Sequence, residues 1–410
     1  MAYDMRSVDD QLARVLDPVR PLPAIDVGLQ DARGCILAED VTAPWPLPPF
    51  DNAAMDGYAV LTGSVVAASP SLPVRLNVIE DIPAGSRPTS TVAAGTAARI
   101  MTGAPMPRGA DAVVPVENTD GQMPVVTIYQ PTAVGRHVRR AGDDIPSGEI
   151  VLKAGTVMEA RQTALAAAVG RGRVRVHPRP RVVVISTGDE LVEPGRPIGP
   201  GLINDVNGIM LAVASLDLGA EAYQVGPISD DAKVLASTLQ DQLVRADLII
   251  TTGGVSAGAY DTVKSVLSQL GTVEFVKVAM QPGKPQGYGH IDGTPIFNLP
   301  GNPVSAFVSF EVFVRPVLRR LLGYTQLFRP TVEARAAQAF DSPAGKRQFA
   351  RGQLSYQDGD WQFHASMTQG SHQIGMLAHA NSIAVVAESV EHVPAGTPLT
   401  VMRLDVDHGA

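Results

Sequence analysis

At 410 residues the chain is too long for one compact domain and reads as two to four. With 45% hydrophobic and 18% charged residues it is globular rather than disordered, and with only 5% aromatics its cores must rest on Val, Leu, Ile and Ala. A net charge of −8 excludes a broad nucleic-acid surface, so any anion must be met locally by Arg, Lys and backbone N–H groups.

In chain order, Ser7 is placed to cap a first helix with Val8, Leu12, Val15 and Leu16 on one face, ended by Pro18, Pro21 and Pro23. The first four residues lack a signal-peptide pattern, and no apolar run approaches the ~20 residues of a membrane span. The single cysteine, Cys35, excludes an internal disulfide and a Cys-based metal site. A cytoplasmic protein with no membrane or nucleic-acid partner is expected. A Pro-rich stretch at 45–49 marks a boundary. Residues 50–146 read as short strands and turns, with strands at 74–79, 97–101 and 125–129, and no long helical period. Residues 159–169 form an Ala-rich helix followed by Gly170, and His177-Pro178-Arg179-Pro180 makes a stiff linker.

The pattern then changes. Strands are expected at 182–186, 222–225, 248–252, 273–278 and 296–298. Helices are expected at 207–218, 231–243, 262–270 and 304–322, with Asp230 or Ser229 capping the second. Apolar strand runs alternating with helices predict a parallel sheet covered on both faces. From about 330 the helical period disappears. Short strands at 332–336, 349–354, 361–364, 383–387 and 399–404 predict a small barrel or sandwich.

Ligands of an open parallel sheet bind outside the carboxyl ends of its strands. Four unusual loops fall at such ends: 186–190, 251–258, 281–285 and 299–303. Gly253 and Gly254 lie in a run whose backbone N–H groups can nest an anion. A helix beginning after Pro303 adds a partial positive charge, and Lys277 and Lys284 supply full ones. Ordinary βα turns would explain any one loop, but not four on one edge. Four carboxylates, Asp189, Glu190, Asp230 and Asp261, crowd the same edge and would repel. Oxygen ligands suit a Mg²⁺ ion bridging to phosphate, although Asp230 and Asp261 also read as helix caps.

Two motifs fall away. Gly283-Lys284 is followed by Pro285, so it is not a Walker loop. Residues 254–258 match G-x-S-x-G, but Ala257-Gly258-Ala259 delays the helix that a nucleophile elbow needs at Ser256. The eight histidines show no metal-ligand spacing. Two further segments stand out: 49–59 is too polar and too rich in Gly, Asn and Asp for a plain strand, and 100–107 is a turn-rich run that offers a hydroxyl.

Taken together, PFDNAAMDGYAV, RIMTGAPMPRGADAVVPVE, VRRAGDDI, STGDEL, TTGGVSAGAYD, QPGKP, LPGNPVSA, RQFARG and QGSH run end to end and in order. In this the chain resembles the molybdopterin molybdenumtransferase family, which includes the bacterial MoeA proteins and the E domain of gephyrin. The resemblance implies an α/β multidomain fold. Residues 1–46 and 147–177 would form an elongated domain and 47–146 a β-rich second domain. Residues 178–327 would be an α/β molybdopterin-binding domain similar to the molybdopterin adenylyltransferase domain, and 328–410 a C-terminal β-barrel.

The implied activity is insertion of molybdate into adenylyl-molybdopterin, releasing AMP and molybdenum cofactor, with Mg²⁺ assisting. The implied state is a homodimer with a composite active site, and the pathway's adenylyltransferase is an implied partner. Carried onto matching motifs, the catalytic positions are Asp56, Thr102, Asp144, Glu190, Asp230 and Asp261, the last three also holding metal. The substrate-binding positions are Gly253, Gly254, Ser256, Lys277, Lys284, Pro300, Pro303, Arg351 and Ser371. Lys277, Lys284, Arg351, Ser256 and Ser371 suit a tetrahedral oxyanion through charge-assisted hydrogen bonds, whereas Pro300 and Pro303 would fix loop shape.

Two departures stand out. Gln281 takes the place of a lysine common in the family, removing one positive charge, and Asp143 stands where Glu is common, beside an Asp144 that keeps its carboxylate. A scaffold role, adenylyl transfer to the pterin and serine hydrolysis are the competing classes, all less consistent with the retained carboxylates and the full set of domains.

Overall fold

A computed structural model describes residues 5–253, 259–357 and 359–406, with the side chains of 259–261 set aside. The chain divides into two compact units. Val27–Arg33 with Glu39–Val174 makes one; Met1–Asp26, Gly34–Ala38 and Arg175–Ala410 make the other. Among the described residues no helix is long and apolar enough to cross a membrane.

In the second unit a first helix, α1 (Val8–Leu16), starts where expected, with Ser7 Oγ accepting from the Asp10 N–H at 3.0 Å. Its buried Val8, Val15 and Leu16 join the core of the α/β sheet described below.

The unit containing residues 39–174 is built on a five-stranded sheet. Its strands are β1 (Gly57–Val60), β2 (Val74–Ile82), β3 (Thr96–Ile100), β4 (Ala112–Pro115) and β5 (Val125–Ile128), in the order β4-β1-β3-β2-β5. β1 corrects the expectation that 49–59 is too polar for a strand. The polar residues precede it, and Gly57–Val60 is buried throughout between β3 and β4. Tyr58 and Val60 enter one apolar cluster and Ala59 enters another, so both faces of the strand are covered. The helix α2 (Ala160–Ala168) closes this unit's sequence, and Gly170 follows it at φ 80°, as a C-terminal glycine should.

The second unit continues with β6 (Arg181–Thr187), α3 (Asn207–Asp217), β7 (Glu221–Ile228), α4 (Ala232–Leu243), β8 (Leu248–Thr252) and α5 (Ala259–Leu270). There follow β9 (Glu274–Lys277), β10 (Pro285–Ile291), β11 (Thr294–Leu299) and α6 (Pro303–Ser309). The sheet order is β7-β6-β8-β11-β10-β9. β7, β6, β8 and β11 are parallel, and β10 runs antiparallel to both β11 and β9. The apolar runs at 182–186 and 248–252 are those of strands covered on both faces: Val182 and Val184 enter one core cluster, Val183 and Ile185 the other.

β10 was not anticipated from the sequence, because Gln286-Gly287-Tyr288-Gly289 shows no apolar alternation. Its glycines have a packing cause. A Cβ at Gly289 would lie 2.3 Å from the Thr272 carbonyl oxygen, so the strand passes too close to its neighbour for a side chain. The long helix expected over 304–322 is present from 303 to 321, with one π-turn inside it. The π-turn, Phe310–Val314, joins α6 to α7 (Arg315–Leu321).

The barrel expected after 330 is present. β12 (Thr331–Ala336), β13 (Arg347–Gln357), β14 (Asp360–Ala365), β15 (Ser382–Val386) and β16 (Pro398–Arg403) run β13-β14-β12-β16-β15, and β13 pairs again with β15 to close the ring. Closure leaves no open edge among these strands. Met280 and Gln281 add a short parallel pairing onto Arg347 and Gln348, tying the 281–285 loop to the barrel.

Candidate active site

The carboxyl ends of β6, β8, β9 and β11 and the start of β10 meet at one edge of the sheet. There a cavity of about 500 Å³ is lined by Glu190, Ile203, Gly253, Gln281–Pro285, Pro300–Asn302, Ser305 and Ser371. All four loops picked out from sequence thus contribute to the lining, 186–190 through Glu190 and 251–258 through Gly253. One full positive charge, on Lys284, and one carboxylate, on Glu190, stand among these lining residues.

The barrel contributes Ser371 to the lining. Asn302 Nδ2 donates to Ser371 Oγ at 3.0 Å, and the Val304 N–H donates to the Ser371 carbonyl at 3.1 Å. The first turn of α6 is therefore partly capped by the 369–372 loop rather than by a side chain of its own. Ser305, on the same turn, is buried yet lines the cavity.

The acidic side has a different character. The cap of α4 falls to Asp231, whose Oδ1 accepts from the N–H groups of Lys233 and Val234. This corrects the expectation that Asp230 or Ser229 caps the helix, and it leaves the Asp230 carboxylate without that duty. Asp230 Oδ1 is buried with no hydrogen-bond partner among the described residues. Burial pushes its carboxyl up, and the Asp189 and Glu190 carboxylates push it further.

Other orphaned polar atoms cluster nearby: Ser186 Oγ, Thr187 Oγ1, Asn204 Oδ1 and Asn207 Oδ1 are buried and unpartnered among the described residues. Each such group costs about 1–3 kcal/mol if nothing satisfies it. Their concentration at the end of β6 and the start of α3 marks a place built to meet polar ligand atoms or ordered water. Asn207 also braces the cavity. Its Nδ2 donates to Thr252 Oγ1 at 3.0 Å and to the Gly301 carbonyl at 2.7 Å. Asn207, Asn302 and Ser305 were not singled out from sequence. The polar run Asn204-Asp205-Val206-Asn207 before an apolar helix was the available signal for the first.

The other predicted residues fall as follows. Lys277 is exposed at the end of β9 with Pro285 as its register partner, so it lies beside the Lys284 loop rather than in the cavity wall. Pro300 lines the cavity and its carbonyl accepts from Thr252 Oγ1 at 3.2 Å, while Pro303 is the first residue of α6. Arg351 is fully buried behind Ser371. Its Nη2 donates to the carbonyls of Thr368 and Gly370 at 3.1 and 3.3 Å, and its Nε and Nη1 find no partner among the described residues. Burial lowers the pKa of this guanidinium. Here it holds the 368–370 backbone and is not among the residues lining the cavity. Gly254 and Ser256 lie outside the described residues, as does the side chain of Asp261; its backbone opens α5.

In the other unit, Asp56 and Thr102 form a pair. The Thr102 N–H and hydroxyl both donate to Asp56 Oδ1 at 2.7 Å, and these bonds hold the Asp56 carboxyl below its ordinary value. Asp143 Oδ2 accepts from the Arg140 N–H at 2.6 Å, so this carboxylate shapes its own turn, and Asp144 is exposed beside it.

Among the described residues no three His, Cys, Asp or Glu side chains gather as a metal-holding group. The residues nonetheless fit a divalent cation chemically: an orphaned Asp230 oxygen, two neighbouring carboxylates and an oxygen-only donor set.

An α/β sheet with a polar cavity at its carboxyl edge, closed on one side by a loop from a small barrel, has the architecture of a binding protein for a polar ligand. Three family models divide the chain: the MoeA N-terminal region (domain I and II) over residues 6–170, a probable molybdopterin binding domain over 183–320, and the MoeA C-terminal region (domain IV) over 333–404. Molybdopterin molybdenumtransferase 2 of Mycobacterium tuberculosis (strain ATCC 25618 / H37Rv) is 48% identical, covering 98% of this chain and 100% of that protein. The molybdopterin molybdenumtransferase of Nostoc sp. is 37% identical over 93% and 88%. Two molybdopterin biosynthesis MoeA structures from Pyrococcus horikoshii superpose with TM-scores of 0.83 and 0.74 at 34% and 28% identity, each covering 98% of this chain and 100% of the other. The chain belongs to the molybdopterin molybdenumtransferase family.

Proposed function

We propose that this protein transfers molybdate into adenylyl-molybdopterin, releasing AMP and molybdenum cofactor. The observation that carries the reading is the cavity at the carboxyl edge of the sheet. It sets Lys284 and the hydroxyls of Ser305 and Ser371 on its walls together with Glu190, whose field also reaches Asp230. Curated relatives over the whole chain carry the name molybdopterin molybdenumtransferase.

Both substrates are anions and would repel in water, so the first task of the site is to hold them together. Lys284 attracts the molybdate oxyanion, and Ser305 and Ser371 donate hydroxyl hydrogen bonds to it. The N-terminal turn of α6 adds its partial positive charge. Arg351 keeps the loop that presents Ser371 in place. Glu190, Asp230 and Asp261 would hold Mg²⁺, which when bound neutralises the pyrophosphate and polarises its phosphorus. The polar floor around Ser186, Thr187 and Asn207 gives the pterin's own donors and acceptors partners that they would otherwise find in water.

The same reading makes the protein a homodimer, with Asp56, Thr102 and Asp144 serving the site of the partner copy. The exposed face of α3 supports association. Val206, Ile209, Val213 and Leu216 fall at spacings of three and four and remain 36–52% exposed, and no charged residue interrupts the helix before Asp217. Light scattering on the purified protein would read one mass near twice 43.1 kDa, and Val213→Asp would halve it. A monomeric wild type would sink the dimer. The pathway's adenylyltransferase is the enzyme that would supply the adenylylated substrate.

The decisive assay is AMP release from adenylyl-molybdopterin with and without molybdate and Mg²⁺. Release that requires both supports the transferase; release independent of molybdate, or none from folded protein, rejects it.

A further inference from the structure

The loop that carries Lys284 is gripped from behind by two side chains that do not line the cavity. Gln286, in β10, is only 3% exposed. Its Nε2 donates to the Gly283 carbonyl at 2.6 Å and to Ser309 Oγ at 2.6 Å, which uses both amide protons. Ser309 is fully buried at the end of α6, one residue before the π-turn begins. Gly283 adopts φ 100°, and a Cβ there would lie 2.8 Å from Ser309 Oγ, so loop and helix meet without slack.

The Gly283 carbonyl belongs to the peptide group that leads into Lys284. The carbonyl of Lys284 itself accepts from the Val278 N–H at 2.8 Å. The peptide groups on both sides of the Lys284 Cα are therefore fixed, and the direction in which its side chain leaves the backbone is fixed with them. Packing alone does not call for an amide here. An apolar side chain of similar volume would fill the same space but leave the buried Gly283 carbonyl without its donor, so the amide serves the loop backbone rather than the volume. An isolated π-turn inside a helix is also a frequent companion of functional geometry.

We infer that Gln286, braced by Ser309, is a positioning residue for oxyanion binding: it orients the Gly283–Lys284 peptide and so aims the Lys284 ammonium into the cavity. The inference rests on the reading of that cavity as a molybdate site, and a second tetrahedral dianion, tungstate, serves as a parallel probe.

The test is calorimetric titration of molybdate, and separately tungstate, into the full-length protein, with Gln286→Leu, Lys284→Met and the double variant. Gln286→Leu is expected to weaken binding about tenfold and Lys284→Met more, while the double variant binds no more weakly than Lys284→Met alone. In turnover, Gln286→Leu raises the half-saturating molybdate concentration and leaves the saturated rate near wild type. Additive losses in the double variant, or unchanged affinity in Gln286→Leu, would overturn the inference. If circular dichroism shows Gln286→Leu unfolded, Ser309→Ala takes its place in the same cycle. That variant removes the brace but keeps the bond to Gly283, and a smaller loss coupled to Lys284 supports the inference, whereas none or an additive one rejects it. A folded wild type that binds neither oxyanion overturns the cavity reading itself, which is a different result from a wild type that binds and a variant that binds equally.

Discussion

Asp56 and Asp230 are both candidate site carboxylates, and their surroundings have driven them in opposite directions. Asp56 is exposed, takes two hydrogen bonds from Thr102, and sits below its ordinary pKa. Asp230 is half-buried, has one oxygen with no partner among the described residues, and is raised by burial and by Asp189 and Glu190. In the first carboxylate Oδ1 already has two donors, both on Thr102, which tie the two turns together. The second is held at a cost that a cation, a proton or a donor from outside the described residues would remove. The contrast separates two roles that the sequence presents identically, as an Asp in a polar turn.

The largest effect should come from the unsatisfied side. Glu190→Gln and Asp230→Asn should each lower AMP release by about 100-fold or more, the scale of losing a preorganised electrostatic group. Neither should unfold the protein, and Asp230→Asn should raise the melting temperature in metal-free buffer because it removes a repelled charge. Addition of Mg²⁺ should raise the melting temperature of the wild type and leave that of Asp230→Asn nearly unchanged. Equal Mg²⁺ responses in both proteins would detach Asp230 from metal binding.

Next in size is Lys284→Met, which should raise the half-saturating molybdate concentration by about 10- to 100-fold, the range for a charge-assisted hydrogen bond. A shift in the saturated rate alone would mean that Lys284 acts on the reacting phosphate rather than on the oxyanion.

How legible these roles are follows from what each depends on. The parallel half of the sheet could be read directly, because strands covered on both faces must be continuous apolar runs, as at 182–186 and 248–252. Of the hairpin half, β9 was legible at 273–278 and β10 was not. β10 carries glycine where its neighbours press closest, and close approach between strands leaves no periodic trace in one chain. The convergence of the 186–190, 281–285 and 299–303 segments was legible from the rule that ligands sit at strand carboxyl ends. The cap of α4 was misplaced by one residue, because Ser229-Asp230-Asp231 offers three capping types in a row and only tertiary geometry selects Asp231. That single-residue difference decides whether Asp230 is a cap or a site residue. The motif names Arg351 as an oxyanion ligand; its burial behind Gly370, with Nε and Nη1 unpartnered among the described residues, depends on how the barrel loop folds back and is not written in the motif.

On the satisfied side, Thr102→Ala should cost less than either carboxylate variant, lowering AMP release about tenfold or less. The pH dependence carries a definite sign. The folded pKa of Asp56 lies below its ordinary 3.8, so its contribution to stability is fully present above that value and is lost as the pH falls through the lowered folded pKa. Denaturant midpoints measured from pH 6 downward should therefore converge for wild type and Thr102→Ala only at the acid end. Midpoints that differ by the same amount at every pH would show that Thr102 stabilises the turn without reference to the Asp56 charge.

The smallest expected change sharpens the comparison from the basic side. Gln281 lines the same cavity as Lys284 and contributes no charge. In a partly solvated wall, a second ammonium would add an attraction that salt screens over about 8–10 Å. Gln281→Lys should therefore tighten molybdate binding about three- to tenfold at low ionic strength, and the gain should shrink as salt is added. It should also bring the new cation toward the carboxylates and weaken Mg²⁺ binding slightly, because a nearby positive charge makes Glu190 a poorer ligand. Tighter molybdate binding together with unchanged Mg²⁺ affinity would show that the two sides of the cavity act independently. Weaker binding of both would mean that the Gln281 amide makes a specific contact that a lysine cannot reproduce, and would remove simple charge from the explanation of this wall.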